Sequence, residues 1–183
     1  MLDKFEITEQ FGPYRFIGKS IYTRAWQDTS IAIERASWHL CDWVFEALDN
    51  LKEYATDQKH NHALFSWDKF CDKSQLMGYT IGRFMKPDTP VPEGMDYIDI
   101  EGTTVACGWA SGDFEDVNRL DQVYNIFYEK SGPPTFDALK QAGYDEKCFP
   151  WTAQVFPVGY PKNPKPCDDG KYYVGNFVPC VKK

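Results

Sequence analysis

Apolar and polar positions alternate with a two-residue period in several short stretches of this chain and with a helical period in two longer ones. Residues 5–10 (FEITEQ) alternate, and Phe11-Gly12-Pro13 interrupts them. Residues 14–25, rich in Ile, Tyr and Thr, predict a second strand in which Gly18 marks a bulge or a close backbone approach. Asp28, Thr29 and Ser30 are candidate N-caps for a long helix reaching about Tyr54. Its buried stripe is expected at Ile33, Ala36, Leu40, Val44, Ala47, Leu48 and Leu51. A second apolar row, Ile31, Trp38 and Phe45, lies on nearly the opposite side, where an exposed helix is polar. That row predicts a contact, either with later loops of the same chain or with a second copy in a homodimer. Residues 56–61 then form a polar connection, and residues 63–68 and 76–84 read as two more strands.

A Pro-rich linker, residues 86–94, separates this half from the next. Residues 95–100 and 103–112 predict strands joined as a hairpin at Glu101-Gly102, with a positive φ expected at the glycine. Along the second of them Val105, Cys107, Trp109 and Ser111 share one face, and the small residues Thr104, Ala106, Gly108 and Ala110 share the other. A helix lies close on the small face, which leaves Trp109 on the opposite one. Asp113, with Asp116 three residues on, announces that helix as an acidic variant of the capping box. Val117, Leu120, Tyr124, Phe127 and Tyr128 continue it, and Gly132-Pro133-Pro134 is expected to stop it. Residues 135–142 read as a short extra helix closed by Gly143. Residues 152–157 and 172–179 complete the strands, with a Pro-rich excursion at 159–170 between them.

Each half thus reads strand, strand, helix, strand, strand. The expected fold is α+β: duplicated β-β-α-β-β units (SH2-like motifs) about a pseudo-twofold, an antiparallel sheet backed by two helices, and a central groove. One domain spans residues 1–183, with the first repeat at about 1–86 and the second at about 95–183.

Composition sharpens the picture in three respects. Aromatic residues make up 16% of the 183 residues, enough to line a concave pocket as well as a core. The formal charge of −7 disfavours nucleic acid and mildly favours a cationic ligand. No apolar run is long enough to span a bilayer and the first ten residues are too polar for a signal peptide, so a cytoplasmic location is expected. The six cysteines show no metal-ligand spacing and read as free, mostly buried thiols. His60 and His62 lack a third ligand and read as part of a solvated loop, so no metal is expected. There is no nucleophile elbow, no phosphate-cradling glycine loop and no HExxH, and neither a catalytic residue nor a cofactor is expected.

Tyr14-Arg15-Phe16-Ile17-Gly18-Lys19, Pro92-Glu93-Gly94-Met95, Ile100-Glu101-Gly102-Thr103, residues 105–112 and the pair Tyr124 and Tyr128 carry a resemblance over nearly the whole chain. The sequence resembles the GyrI-like effector-binding domain of AraC- and MerR-type multidrug regulators, here without a helix-turn-helix at either end. The resemblance implies a groove that binds lipophilic, often cationic small molecules through aromatics and a central acid. Members often carry Phe-Glu-x-Tyr on the penultimate strand; the matching residues are Ala153-Gln154-Val155-Phe156, so the charge and the phenol are both replaced. The expected ligand-binding residues are Tyr22, Trp109, Gln154 and Phe156, with Trp67 and Trp151 either at the groove rim or capping a core. Two other functions stay open. One is a hydrolase detoxifying a reactive lipophilic compound; the other is a protein-interaction module such as a DNA gyrase inhibitor.

Overall fold

The computed structural model of the chain describes residues 1–24, 31–40, 42–66, 76–118, 126–146 and 151–183. Strands β1 (Lys4–Phe11), β2 (Tyr14–Arg24), β3 (His60–Ser66), β4 (Leu76–Met85), β5 (Asp96–Ile100), β6 (Thr103–Gly112), β7 (Tyr144–Glu146), β8 (Trp151–Pro157) and β9 (Tyr172–Lys182) build one antiparallel sheet. Its order is β1-β6-β9-β8-β3-β4-β2-β5, with β7 on β9. Exchanging β1 with β5, β2 with β6, β3 with β8 and β4 with β9 reproduces the same order read from the other end. Helices α1 (Ile31–Leu40), α2 (Asp42–Asp49), α3 (Phe114–Asn118) and α4 (Gly132–Gln141) pack on one face, making an α+β fold. No helix among the described residues is long and apolar enough to cross a membrane.

The Glu101-Gly102 joint is not a hairpin. β5 pairs with β2 and β6 with β1, in the registers Tyr14↔Ile100 and Phe11↔Thr103. Two chain segments therefore run side by side through a common bend and tie the two ends of the sheet together. The positive φ falls at Gly12 (96°), where an added Cβ would lie 3.4 Å from the Gly102 Cα. Local pattern locates such a joint but does not say which strand pairs with which.

The helix side follows from side-chain size. Ala106 packs with Leu139, Ala110 with Val117 and Ile126, and a Cβ on Gly108 would run into the Thr135 side chain of α4. The Asp113 N–H donates to Asp116 Oδ2 at 3.1 Å, one arm of the expected capping box. The helical segment Ile126–Ser131 ends directly before Gly132-Pro133-Pro134, and the same residues open α4, where a first-turn proline N–H would have no intrahelical acceptor. The described parts of the expected first helix, α1 and α2, bury Ser37, Trp38, Val44, Phe45 and Leu48 at helical spacing and leave Leu40 exposed.

The proposed dimer face is corrected by the same packing. Trp38 is fully buried and Phe45 nearly so. Trp38 stacks on Phe45 (5.6 Å, 15°) and meets Phe156 and Tyr160 edge-on at 4.8 and 4.7 Å. The chain's own β8 and the loop after it cover that row; the Ile31 side chain lies outside the described residues.

The face away from the helices also carries a core. Phe84 meets Phe16 at 4.9 Å and Phe11 at 5.1 Å, and Phe11 meets Phe177 at 5.3 Å, with Tyr14 and the buried Trp151 alongside. These rings occupy the centre of the expected groove. Ring faces and edges drawn from both halves of the sheet fill it, so what remains open lies at its margins.

Candidate functional site

One margin is built around Trp109. It stands on β6 directly opposite Gly175 of β9, where a Cβ would come 2.8 Å from the indole. Tyr22 of β2 stands in the same way opposite Gly78 of β4, on the same face of the other half of the sheet. Each half thus lays one aromatic over a cross-strand glycine. The two differ in cover, Tyr22 being 44% and Trp109 only 9% exposed.

Charge is arranged tightly around Trp109. Its Nε1–H donates to Glu6 Oε1 at 3.0 Å, and Lys4 approaches the other oxygen at 2.7 Å. Burial works against the Glu6 charge, but the hydrogen bonds from Lys4 and Trp109 outweigh it and hold the carboxyl below its usual range. Asp3 is likewise held low: burial opposes its charge, and the Ser111 N–H donating at 2.6 Å prevails.

His60 closes the margin, its ring 5.1 Å from the indole. Its Nδ1 pairs with Asp57 Oδ2 at 2.5 Å, and the Lys59 N–H donates to the other oxygen at 2.7 Å. Burial raises the Asp57 carboxyl, yet the hydrogen bond and charge of His60 bring it down to about 2. The Tyr173 hydroxyl donates to Asp169 at 2.7 Å, and that bond pushes the phenol up to about 12. Burial, followed by the Asp169 charge, pushes the Cys167 thiol up. Together Asp3, Lys4, His60, Trp109, Cys167 and Tyr173 line a depression of about 390 Å³. That volume lies in the range of small-molecule sites.

The other expected residues go elsewhere. Gln154 and Phe156 are fully buried on the helix side. The Tyr79 hydroxyl donates to Gln154 Oε1 at 2.8 Å and accepts from Trp38 Nε1 at 3.2 Å, so a phenol does reach this amide, from β4. Trp151 belongs to the ring cluster at the centre of the opposite face. Trp67 lies outside the described residues, as does Tyr124.

The chain shares its fold with SAV2435. That structure, solved bound to tetraphenylphosphonium, superposes with a TM-score of 0.60 at 11% identity over 97% of this chain and 94% of its own. A putative bacterial transcription regulation protein from Staphylococcus aureus MU50 gives 0.49 at 11% identity over 97% and 96%. An integron cassette protein from the mobile metagenome of Vibrio cholerae gives 0.46 at 9% over 98% and 97%. No family model and no curated protein matches the sequence.

The two histidines, expected in a solvated loop, belong instead to the sheet. Both lie on β3, with alternation carrying both side chains to the helix-free face. His62 is buried between Phe84 and Phe177, at 5.0 and 5.9 Å, and its Nδ1 has no hydrogen-bond partner among the described residues. The available signal was the apolar run directly after them, ALFS, which extends backward as a strand.

Proposed function

We propose that this chain is a GyrI-like binding module that senses or sequesters lipophilic aromatic or cationic compounds, taking them against Trp109. Support comes first from the depression itself, lined by the Trp109 indole and the Asp3 carboxylate held ionised, with the Glu6 carboxylate on the indole N–H. Such a rim attracts an organic cation by ring quadrupole and by charge. SAV2435, with the same fold, was solved with a lipophilic cation bound. The palindromic strand order supports two duplicated SH2-like units, and Tyr22 is the counterpart of Trp109 in the first of them. Gln154, Phe156 and Trp151 then serve as the packed floor on which the aromatic rims rest. A soluble cytoplasmic protein without cofactor, nucleic acid or membrane partner completes the proposal.

Calorimetric titration with tetraphenylphosphonium and with neutral triphenylphosphine oxide tests it. Saturable binding of the cation is expected, weakened about tenfold in Trp109→Ala. Glu6→Gln is expected to weaken the cation about threefold and leave the neutral compound unchanged. Absence of saturable heat, or binding untouched by Trp109→Ala, overturns the assignment.

One observation favours a second reading, the hydrolase. The half-buried Asp57 carboxylate fixes His60 through Nδ1, the arrangement that orients an imidazole as a general base toward water. If the depression is catalytic, turnover of a lipophilic epoxide should disappear in His60→Gln while tetraphenylphosphonium still binds. Equal turnover in that variant would remove the hydrolase from consideration.

A further inference from the structure

A second opening, of about 220 Å³, lies on the helix side of the sheet, away from Trp109. Phe45 and Asp49 of α2, Asn61 of β3, Arg83 of β4, and Tyr160 and Lys165 of the loop after β8 surround it. Arg83 is the residue that gives it chemistry. Its side chain is only 5% exposed, an unusual depth for a charge that is always present. Nε donates to Asn61 Oδ1 at 3.0 Å and Nη1 to Asp49 Oδ1 at 2.6 Å. Asn61 is fixed in turn, its amide donating to the Tyr160 carbonyl at 3.2 Å. The guanidinium carbon sits 5.4 Å from the Phe45 ring centroid. Three neighbours thus set the plane of the guanidinium and use two of its three nitrogens. Nη2 has no hydrogen-bond partner among the described residues.

The opening gathers cationic side chains, in a chain whose formal charge is −7. Lys162 and Lys165 line the same opening, and Asp49 is the one acid among its lining residues. Asp49 is itself 66% exposed, so water screens its charge, while Arg83 is enclosed. A planar donor held rigid, with one edge left over and the Lys165 ammonium lining the same opening, is the arrangement that recognises a carboxylate or phosphate oxygen. The opening is smaller than a drug-sized site, and its walls include the rings of Phe45 and Tyr160. From this geometry we infer that the cleft between α2 and the 158–165 loop is a binding site for a small oxyanion, a phosphate or a carboxylate, received by Arg83 Nη2 and Lys165. It is opposite in sign to the Trp109 depression and independent of it.

Two-dimensional amide NMR of the whole chain, titrated separately with inorganic phosphate and with benzoate, tests the site. Saturable shifts are expected at Asn61, Gly159 and the Arg83 Nε–H. Tighter binding of benzoate assigns a carboxylate that uses the ring wall; tighter phosphate assigns a phosphate. Lys165→Gln, on the loop surface, is expected to weaken the preferred anion about fivefold, and Arg83→Gln to abolish its shifts. Tetraphenylphosphonium affinity should change in neither variant. Should Arg83→Gln fail to fold, Lys165→Gln decides. Shifts that do not saturate, or that Lys165→Gln leaves unchanged, overturn the inference.

Discussion

Gly82→Ala is expected to destabilise the fold by about 3 kcal/mol or more, lowering the melting temperature by roughly 10 °C. Gly82 faces Gly18 across the β2–β4 ladder. A Cβ at Gly82 would lie 2.0 Å from the Ile17 carbonyl oxygen and 2.8 Å from the Gly18 Cα, and a Cβ at Gly18 meets the Ile81 carbonyl and the Gly82 Cα at the same distances. The obstructing atoms are backbone, so no rotamer change relieves the contact; the strands must part. Parting them disturbs the Phe16–Phe84 ring pair at 4.9 Å on one side and the Ser20–Thr80 hydroxyl bond at 2.8 Å on the other. Gly18→Ala should cost as much. Gly102→Ala, where the nearest atom would be 3.7 Å away and φ is not positive, is the control and should be nearly neutral. Denaturant unfolding of the three variants measures this. A Gly82→Ala protein within about 1 kcal/mol of the parent would mean that the strands do not approach so closely.

The second large effect is acid destabilisation through His62. Burial lowers the His62 imidazole from its ordinary 6.5 to about 3 in the folded chain, against the pull of the Asp57 charge. Between those values the unfolded chain binds a proton that the folded one refuses, so stability falls as pH falls. The slope contributed is up to ~1.4 kcal/mol per pH unit, beginning near pH 6.5 and ending near pH 3. Asp57 adds to it lower down: its folded value of about 2 against an ordinary 3.8 contributes stability that is lost as pH drops through that interval. His62→Leu removes both the titration and the buried Nδ1, and fills the space between Phe84 and Phe177 with an apolar group. Urea unfolding at pH 7, 5 and 4 should show the parent losing about 3 kcal/mol more than His62→Leu over that range. Parallel loss in the two proteins would place the acid sensitivity elsewhere.

Legibility in the sequence followed the range of the interaction. Alternation marked β1, β2, β4, β6, β8 and β9 within a few residues, because a strand's two faces differ in its own side chains, and of the two readings of Gly18, bulge or close approach, the register leaves the close approach. The small face of β6 correctly announced a helix packed against it, since only Gly108 admits Thr135. The histidines were misplaced because their alternation, polar on a buried face, imitates a loop. The groove position of Gln154 is implied by the resemblance alone, because strands by themselves carry no common frame. The register Ala153↔Phe177↔Cys107 puts Gln154 on the helix side, and no residue within β8 encodes that.

What the sequence determined by itself is the set of elements, the faces they present, an acidic and ring-rich composition, and one indole left on the side opposite a helix. These are settled by propensity and side-chain volume over a few neighbouring positions. Only the tertiary structure decided that β5 and β6 pass through a shared bend instead of turning back, and that the rings of Phe11, Phe84, Trp151 and Phe177 close the centre. It alone decided that His60 meets Trp109, and that Arg83 is enclosed with one nitrogen unspent. Each is a meeting of residues far apart along the chain, chosen by which surfaces exclude water together, and local pattern holds no record of that choice.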